Sequence, residues 1–222
     1  MNGEAGAPAP WQLQGQGYIL AVRLPSAVLK EQSFIDKALQ AARRGPLAYV
    51  MFVDYGSSNV GPYRELLFIP GSLQFNVGRY LSISKIYVST EASVINGRVN
   101  WGIPKERCDF DVQYDVDGVD QIVLTLGEHI LAELKFRRRR FPFKLPFNSH
   151  WLPESWVTLA QRLNGREFRY APSARGFFQP ARLVASSFNS TLFPDISQGR
   201  VVACVKVKGF EMSFPLAETR EL

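Results

Sequence analysis

The sequence predicts a mainly β fold, an antiparallel barrel or sandwich with a few short peripheral helices, and three observations lead there. Short runs rich in Val, Ile, Phe and Tyr are broken by Gly, Pro, Asn and Asp along most of the chain. Helical periodicity is scarce. The 222 residues contain no interior linker, repeat or low-complexity stretch, and with 46% hydrophobic residues, 16 Phe and 8 Tyr they can bury one sizeable core. Residues 1–10, mostly Gly, Ala, Pro and Asn, read as a disordered tail, and 11–222 as a single domain.

Strands are expected at 17–24, 48–54, 63–69, 82–88, 109–114, 122–126, 130–137, 167–170, 181–188 and 200–207, many of them hairpin neighbours. A helix is expected over 31–43, where Phe34, Ala38 and Ala41 share a face, and a second over 152–163. A third, very short helix is expected over 90–96: Thr90 can cap it, Glu91 suits its positive first turn, and Gly97 can take the left-handed position after its end.

Composition excludes several classes of function. The longest apolar run, 47–53, falls far short of the roughly 20 residues of a membrane span. The start of the chain has neither the basic nor the apolar region of a signal peptide. Cys108 and Cys204 stand alone and read as buried thiols in a reducing compartment, which points to the cytoplasm. The formal net charge of +6 is scattered except at Arg137, Arg138, Arg139 and Arg140. Four successive arginines put two on each face of a strand, which suits a charged edge or a subunit contact better than a nucleic-acid site. His129 and His150 have no partner at metal-ligand spacing, and no G-x-S-x-G, P-loop or G-x-G-x-x-G occurs. The expectation is chemistry without metal or cofactor.

The densest segment is Asn96-Gly97-Arg98-Val99-Asn100-Trp101-Gly102-Ile103-Pro104-Lys105-Glu106. Pro104 fixes its own φ and holds Ile103 extended, so the backbone entering Lys105 is stiff and can aim the side chain. In an apolar site desolvation would lower the lysine pKa and free a nucleophilic amine, one able to form a Schiff base with a carbonyl compound. From spacing alone, a surface lysine after a turn is the better reading. On the strand 63–69, alternation puts Glu65 on the same side as Leu67 and Ile69, where burial would let it move protons near neutrality; the opposite face, Arg64, Leu66 and Phe68, competes for the interior.

The pair Gly97-Arg98, followed six residues later by Pro104-Lys105, resembles the acetoacetate decarboxylase family, as does the block Tyr55-Gly56-Ser57-Ser58-Asn59-Val60-Gly61-Pro62-Tyr63-Arg64-Glu65-Leu66-Leu67. The similarity covers roughly 18–110. It implies that family's barrel or sandwich fold, Lys105 as Schiff-base nucleophile, Glu65 as active-site glutamate, no cofactor, and a homo-oligomer. Arg98 and Gln16 become candidate contacts for a substrate carboxylate or polar group, although tying down carbonyls at the helix end is the favoured role for Arg98, and Phe52, Tyr63 and Trp101 become candidate pocket walls.

Three positions depart from the family. Glu106 stands where the decarboxylase has a second lysine, Val50 where it has a second glutamate, and Gln16 where it has an arginine. These changes argue against acetoacetate as substrate. The expectation is a Schiff-base lyase acting on another keto acid, by decarboxylation or by the aldol and dehydration chemistry of related proteins. The competing reading is a non-catalytic barrel that binds an apolar carbonyl or lipid-like ligand.

Overall fold

The computed structural model describes residues 6–76, 78–138 and 144–222. Its strands are β1 (Trp11–Arg23), β2 (Ala48–Ser57), β3 (Tyr63–Ile69), β4 (Ser72–Phe75), β5 (Gly78–Leu81), β6 (Lys85–Val88), β7 (Lys105–Arg107), β8 (Asp109–Val116), β9 (Val119–Leu126), β10 (His129–Arg138), β11 (Leu145–Asn148), β12 (Leu159–Leu163), β13 (Arg166–Tyr170), β14 (Ser173–Phe188), β15 (Arg200–Phe214) and β16 (Glu218–Glu221). Its α-helices are α1 (Ser26–Glu31), α2 (Lys37–Gln40), α3 (Glu91–Trp101) and α4 (Glu154–Val157).

The large sheet runs β7-β6-β3-β2-β1-β15-β14-β10-β9-β8, with β11 added on β14. Its two end strands, β7 and β8, are separated in the chain only by Cys108, whose N–H donates to the carbonyl of Val88 on β6. The sheet therefore curls round into a nearly closed barrel, which leaves little exposed edge. Strands from around the ring send Tyr18, Leu20, Phe52, Phe68, Tyr87, Ile122, Leu134 and Phe136 into one interior cluster, where Tyr18 stacks on Phe136 with ring centroids 3.9 Å apart. A smaller sheet, β16-β13-β12-β5-β4, and α3 cover part of the outside. Between that cover and the barrel wall lies a second cluster, built from Trp11, Leu13, Tyr55, Tyr63, Leu67, Ile86, Trp101, Tyr170 and Phe210. The strands beneath it are buried on both faces, so their sequences lack a clean period of two.

β6 and β7 are a parallel pair, with Ile86 opposite Lys105, and α3 is the crossover that parallel pairing requires. Thr90 caps α3 through its hydroxyl, as the sequence indicates, but the helix continues past Gly97 to Trp101. Gly102, at φ 62°, takes the left-handed cap position expected for Gly97 and turns the chain back toward β7.

Two other helix expectations give way. Over 31–43 the helical spacing is interrupted where Phe34 takes φ 53°, a conformation no right-handed helix accommodates, and only the short α1 and α2 form. Over 152–163 a single turn, α4, precedes strand β12. β12 and β13 form a hairpin through Asn164 and Gly165, both at positive φ, so the Asn-Gly pair and its cross-strand neighbours override the helical spacing. The expected strand over 82–88 begins only at Lys85.

Of the segment expected as a tail, residues 6–10 are described: the Ala7 N–H donates to Asn96 on α3, and its carbonyl accepts from the Trp11 indole. Residues 1–5 lie outside the described residues. So do Arg139 and Arg140, while Arg138 at the end of β10 pairs with Asp115. Among the described residues no helix is long and apolar enough to cross a membrane.

Among the described residues the barrel interior holds one ion pair. Asp120 meets Lys206 and the Tyr18 hydroxyl through one carboxylate oxygen and accepts the Asp115 N–H through the other, and all three side chains are buried. Asp120→Ala would leave the Lys206 ammonium buried with no counter-charge. The expected loss is about 3–5 kcal/mol of unfolding free energy in urea melts; a loss below about 1 kcal/mol, the level of an exposed ion pair, would contradict this reading of the interior.

Candidate active site

Lys105 opens β7 directly after the α3 crossover, and its side chain runs back along the helix. It is 3% exposed. The approach is possible because α3 presents a glycine there: a Cβ on Gly97 would stand 2.7 Å from Lys105 Cδ and 2.8 Å from Cε. Arg98, next on the helix, donates from Nε to the carbonyl of Lys105 at 2.9 Å and so fixes the backbone from which the amine projects.

Three polar groups surround the amine. Lys105 Nζ lies 2.9 Å from Ser93 Oγ, 3.4 Å from the Tyr63 hydroxyl and 3.5 Å from Glu65 Oε2. Ser93 precedes Gly97 by one helical turn, so the two share the face that meets the lysine. Glu65 is 5% exposed, and its other oxygen accepts from the Tyr55 hydroxyl at 2.9 Å. The tyrosine rings stand 4.6 Å apart. Burial and the neighbouring Glu65 charge raise both phenols well above the ordinary tyrosine range, so they serve as protonated donors.

Burial lowers the pKa of Lys105, while Glu65 pulls it back up by stabilising the ammonium. Burial is the larger effect. Ser93 stands in the first turn of α3, where the partial positive charge of the helix end also disfavours a cation.

Beside the amine is a small cavity of about 30 Å³. Its walls come from the start of β1 (Trp11, Leu13), from β2 and β3 (Tyr55, Tyr63, Leu67), and from Ile83, Ile86, Trp101, Ile103 and Phe214. Trp101 meets Trp11 edge to face at 5.0 Å and donates its indole N–H to the carbonyl of Pro215. A larger groove of about 640 Å³ lies on the outer side of α3, between Arg98, Val99 and the β12–β13 turn, but it is open and none of its charged groups is buried.

Of the residues selected from sequence, the fold brings Lys105, Glu65, Tyr63 and Trp101 together. It places three elsewhere. Phe52 points into the barrel interior with Val50, because on β2 the site-facing side is that of Val53 and Tyr55. Gln16 sits at a bulge in β1 and lines a surface groove with Asp54 and Lys208. Arg98 is exposed and holds the Lys105 carbonyl instead of facing the cavity. Glu106 pairs with Lys85 at 2.6 Å, so it leaves the Lys105 amine alone, as expected for neighbours on a strand.

Sequence reasoning missed Ser93, the nearest polar partner of the amine, and the role of Tyr55. Helical spacing from Gly97 back to Ser93 could have found the first, had the helix been extended through the glycine. Tyr55 follows from alternation on β2 once Val53 is placed on the site side.

Gly97→Ala is expected to keep the helix, since Ala is favoured over Gly in a helix interior by about 1 kcal/mol, yet to push Lys105 away from Ser93. The outcome predicted is a native circular dichroism spectrum with a changed rate of Lys105 modification by a small amine-directed reagent, read by peptide mass spectrometry. An unchanged rate would contradict the close packing.

A family model for acetoacetate decarboxylase matches residues 6–176. The acetoacetate decarboxylase of Legionella pneumophila aligns in structure with a TM-score of 0.69 at 12% identity, covering 96% of this chain and 88% of that one. An acetoacetate decarboxylase-like enzyme from Sphingomonas wittichii RW1 aligns at 0.68 with 14% identity, covering 98% and 99%. The enduracididine biosynthesis enzyme MppR, solved in complex with pyruvate, aligns at 0.63 with 14% identity, covering 99% and 93%. At these identities the structural likeness is one of fold. No protein of curated function matches this chain by sequence.

Proposed function

The chain belongs to the acetoacetate decarboxylase family, and from that premise we propose that it is a cofactor-independent lyase that forms an imine between Lys105 and a carbonyl compound. The observation that carries the proposal is the buried Lys105 amine, its pKa lowered by burial, facing a small apolar cavity with Ser93 at 2.9 Å and Glu65 at 3.5 Å. A neutral amine in such a place attacks a carbonyl carbon. Ser93 and Tyr63 steer the lone pair and can donate protons as the carbonyl oxygen departs as water. Glu65, held by Tyr55, is placed to take and return a proton at the carbon next to the imine. At about 30 Å³ the cavity is small, so substrate entry requires wall side chains to swing aside.

The family resemblance implies a keto acid, with decarboxylation or aldol chemistry as the reaction. Three features weigh against acetoacetate itself: Gln16 lies apart from the cavity, Arg98 is engaged on the Lys105 backbone, and Val50 faces the barrel interior. Ligand binding within the barrel is the less supported reading, since that interior is filled by Tyr18, Phe52, Phe68, Tyr87 and Phe136. The free thiols Cys108 and Cys204 support a reducing, cytoplasmic setting, and the family supports a homo-oligomer.

Reductive trapping tests the imine. With cyanoborohydride and a panel of keto acids, ketones and aldehydes, a substrate-dependent mass adduct is expected on Lys105; adducts spread evenly over the exposed lysines would overturn the proposal. On whichever substrate is turned over, Glu65→Gln should reduce kcat by about 10²–10⁴-fold while leaving trapping intact.

A further inference from the structure

The cavity beside Lys105 holds two groups that carry formal charge, Lys105 and Glu65. The rest of its described lining is aromatic, aliphatic or phenolic. Among the described residues, Arg98 of α3 is engaged on the Lys105 carbonyl, and Lys85 of β6 with Glu106 while packed over the Phe34 and Tyr87 rings.

Imine formation needs Lys105 as the neutral amine, so at the moment of attack the formal charge remaining among these wall groups is the Glu65 carboxylate. A keto acid would bring a second carboxylate into the same desolvated space with no cation among the described lining residues, other than Lys105 itself, to face it. Like charges at such range, in a medium less polar than water, disfavour each other strongly. A second carboxylate would also raise the Lys105 pKa and restore the unreactive ammonium. An uncharged carbonyl compound meets neither obstacle, and the aromatic walls suit an apolar body.

We propose that the substrate class is a neutral ketone or aldehyde with an apolar substituent, handled by carbon–carbon bond formation or cleavage and not by loss of carbon dioxide; this rests on the imine reading above. Lys105 Nζ attacks the carbonyl carbon, the oxygen leaves as water after protonation, and a cationic imine remains. Glu65 takes a proton from the adjacent carbon. The C–H electron pair becomes the enamine double bond, which neutralises the nitrogen. The enamine carbon then attacks the carbonyl carbon of an aldehyde, and the new alkoxide recovers a proton from Glu65. Water finally hydrolyses the imine, which releases a β-hydroxy carbonyl product and the free amine. Run in reverse, the same steps cleave that bond.

The experiment presents the full chain at neutral pH with butanone, 4-phenylbutan-2-one, acetoacetate and pyruvate at equal concentrations, each with cyanoborohydride, and maps adducts by mass spectrometry. Proton NMR in D₂O follows exchange at the carbon beside each carbonyl. The neutral ketones should label Lys105 at least about tenfold faster than the acids, the effect of one pKa unit of charge interaction. They should also show enzyme-dependent exchange that Lys105→Met abolishes. Keto acids that label Lys105 as fast as the ketones would overturn the neutral-substrate inference and leave imine chemistry standing. No Lys105 adduct from any of the four would overturn both.

Discussion

The structure around the site depends on one constraint: a lysine amine is buried where water does not reach it freely. Removing an ammonium from water is costly unless it is paired, and the alternative is to give up its proton. Here the pairing is partial. Ser93 Oγ is the nearest partner, Tyr63 and Glu65 stand further off, and burial outweighs the carboxylate in setting the direction of the pKa. The local sequence serves this arrangement. Gly97 gives the side chain room along α3, Gly102 reverses the chain, and Arg98 pins the carbonyl of Lys105.

A second buried lysine in the same molecule shows what the arrangement at Lys105 avoids. Lys206, in the barrel interior, is in direct contact with Asp120. Burial works against that carboxylate's charge, but hydrogen bonds from Lys206, Tyr18 and the Asp115 N–H hold it below the ordinary range. Asp120 spends both oxygens on fixed donors, as a structural pair should. Glu65 keeps its lysine at 3.5 Å and its firmest contact on a tyrosine, a looser pairing than that of Asp120 with Lys206. Similar residue types on two faces of one barrel wall thus stand in different environments.

Much of this was legible in the sequence. The β class, Tyr63–Ile69 as a strand and the Thr90 cap follow from alternation and capping, while the meeting of Lys105 with Glu65 was implied by the resemblance of the segments around Tyr55 and Gly97 to the acetoacetate decarboxylase family. What failed did so where local pattern is degenerate. Strands β2 and β3 are apolar on both faces, so alternation alone could not tell that Phe52 belongs to the barrel interior and Tyr55 to the site. The bulge in β1 near Gln16 shifts the register of its partners, which no period-two reading anticipates. Gly97 looked like a helix end because a glycine inside a helix is unfavourable, and only the packed lysine explains it.

The most direct measurement is the titration of the Lys105 amine itself, by NMR of isotope-labelled lysine side chains with the resonance assigned through Lys105→Arg. The amine should titrate below the ordinary lysine value of 10.5 at which exposed lysines change charge. In Glu65→Gln it should move lower still, because the carboxylate is the group that stabilises the ammonium. A Lys105 midpoint at or above that of the exposed lysines would contradict the buried, nucleophilic amine.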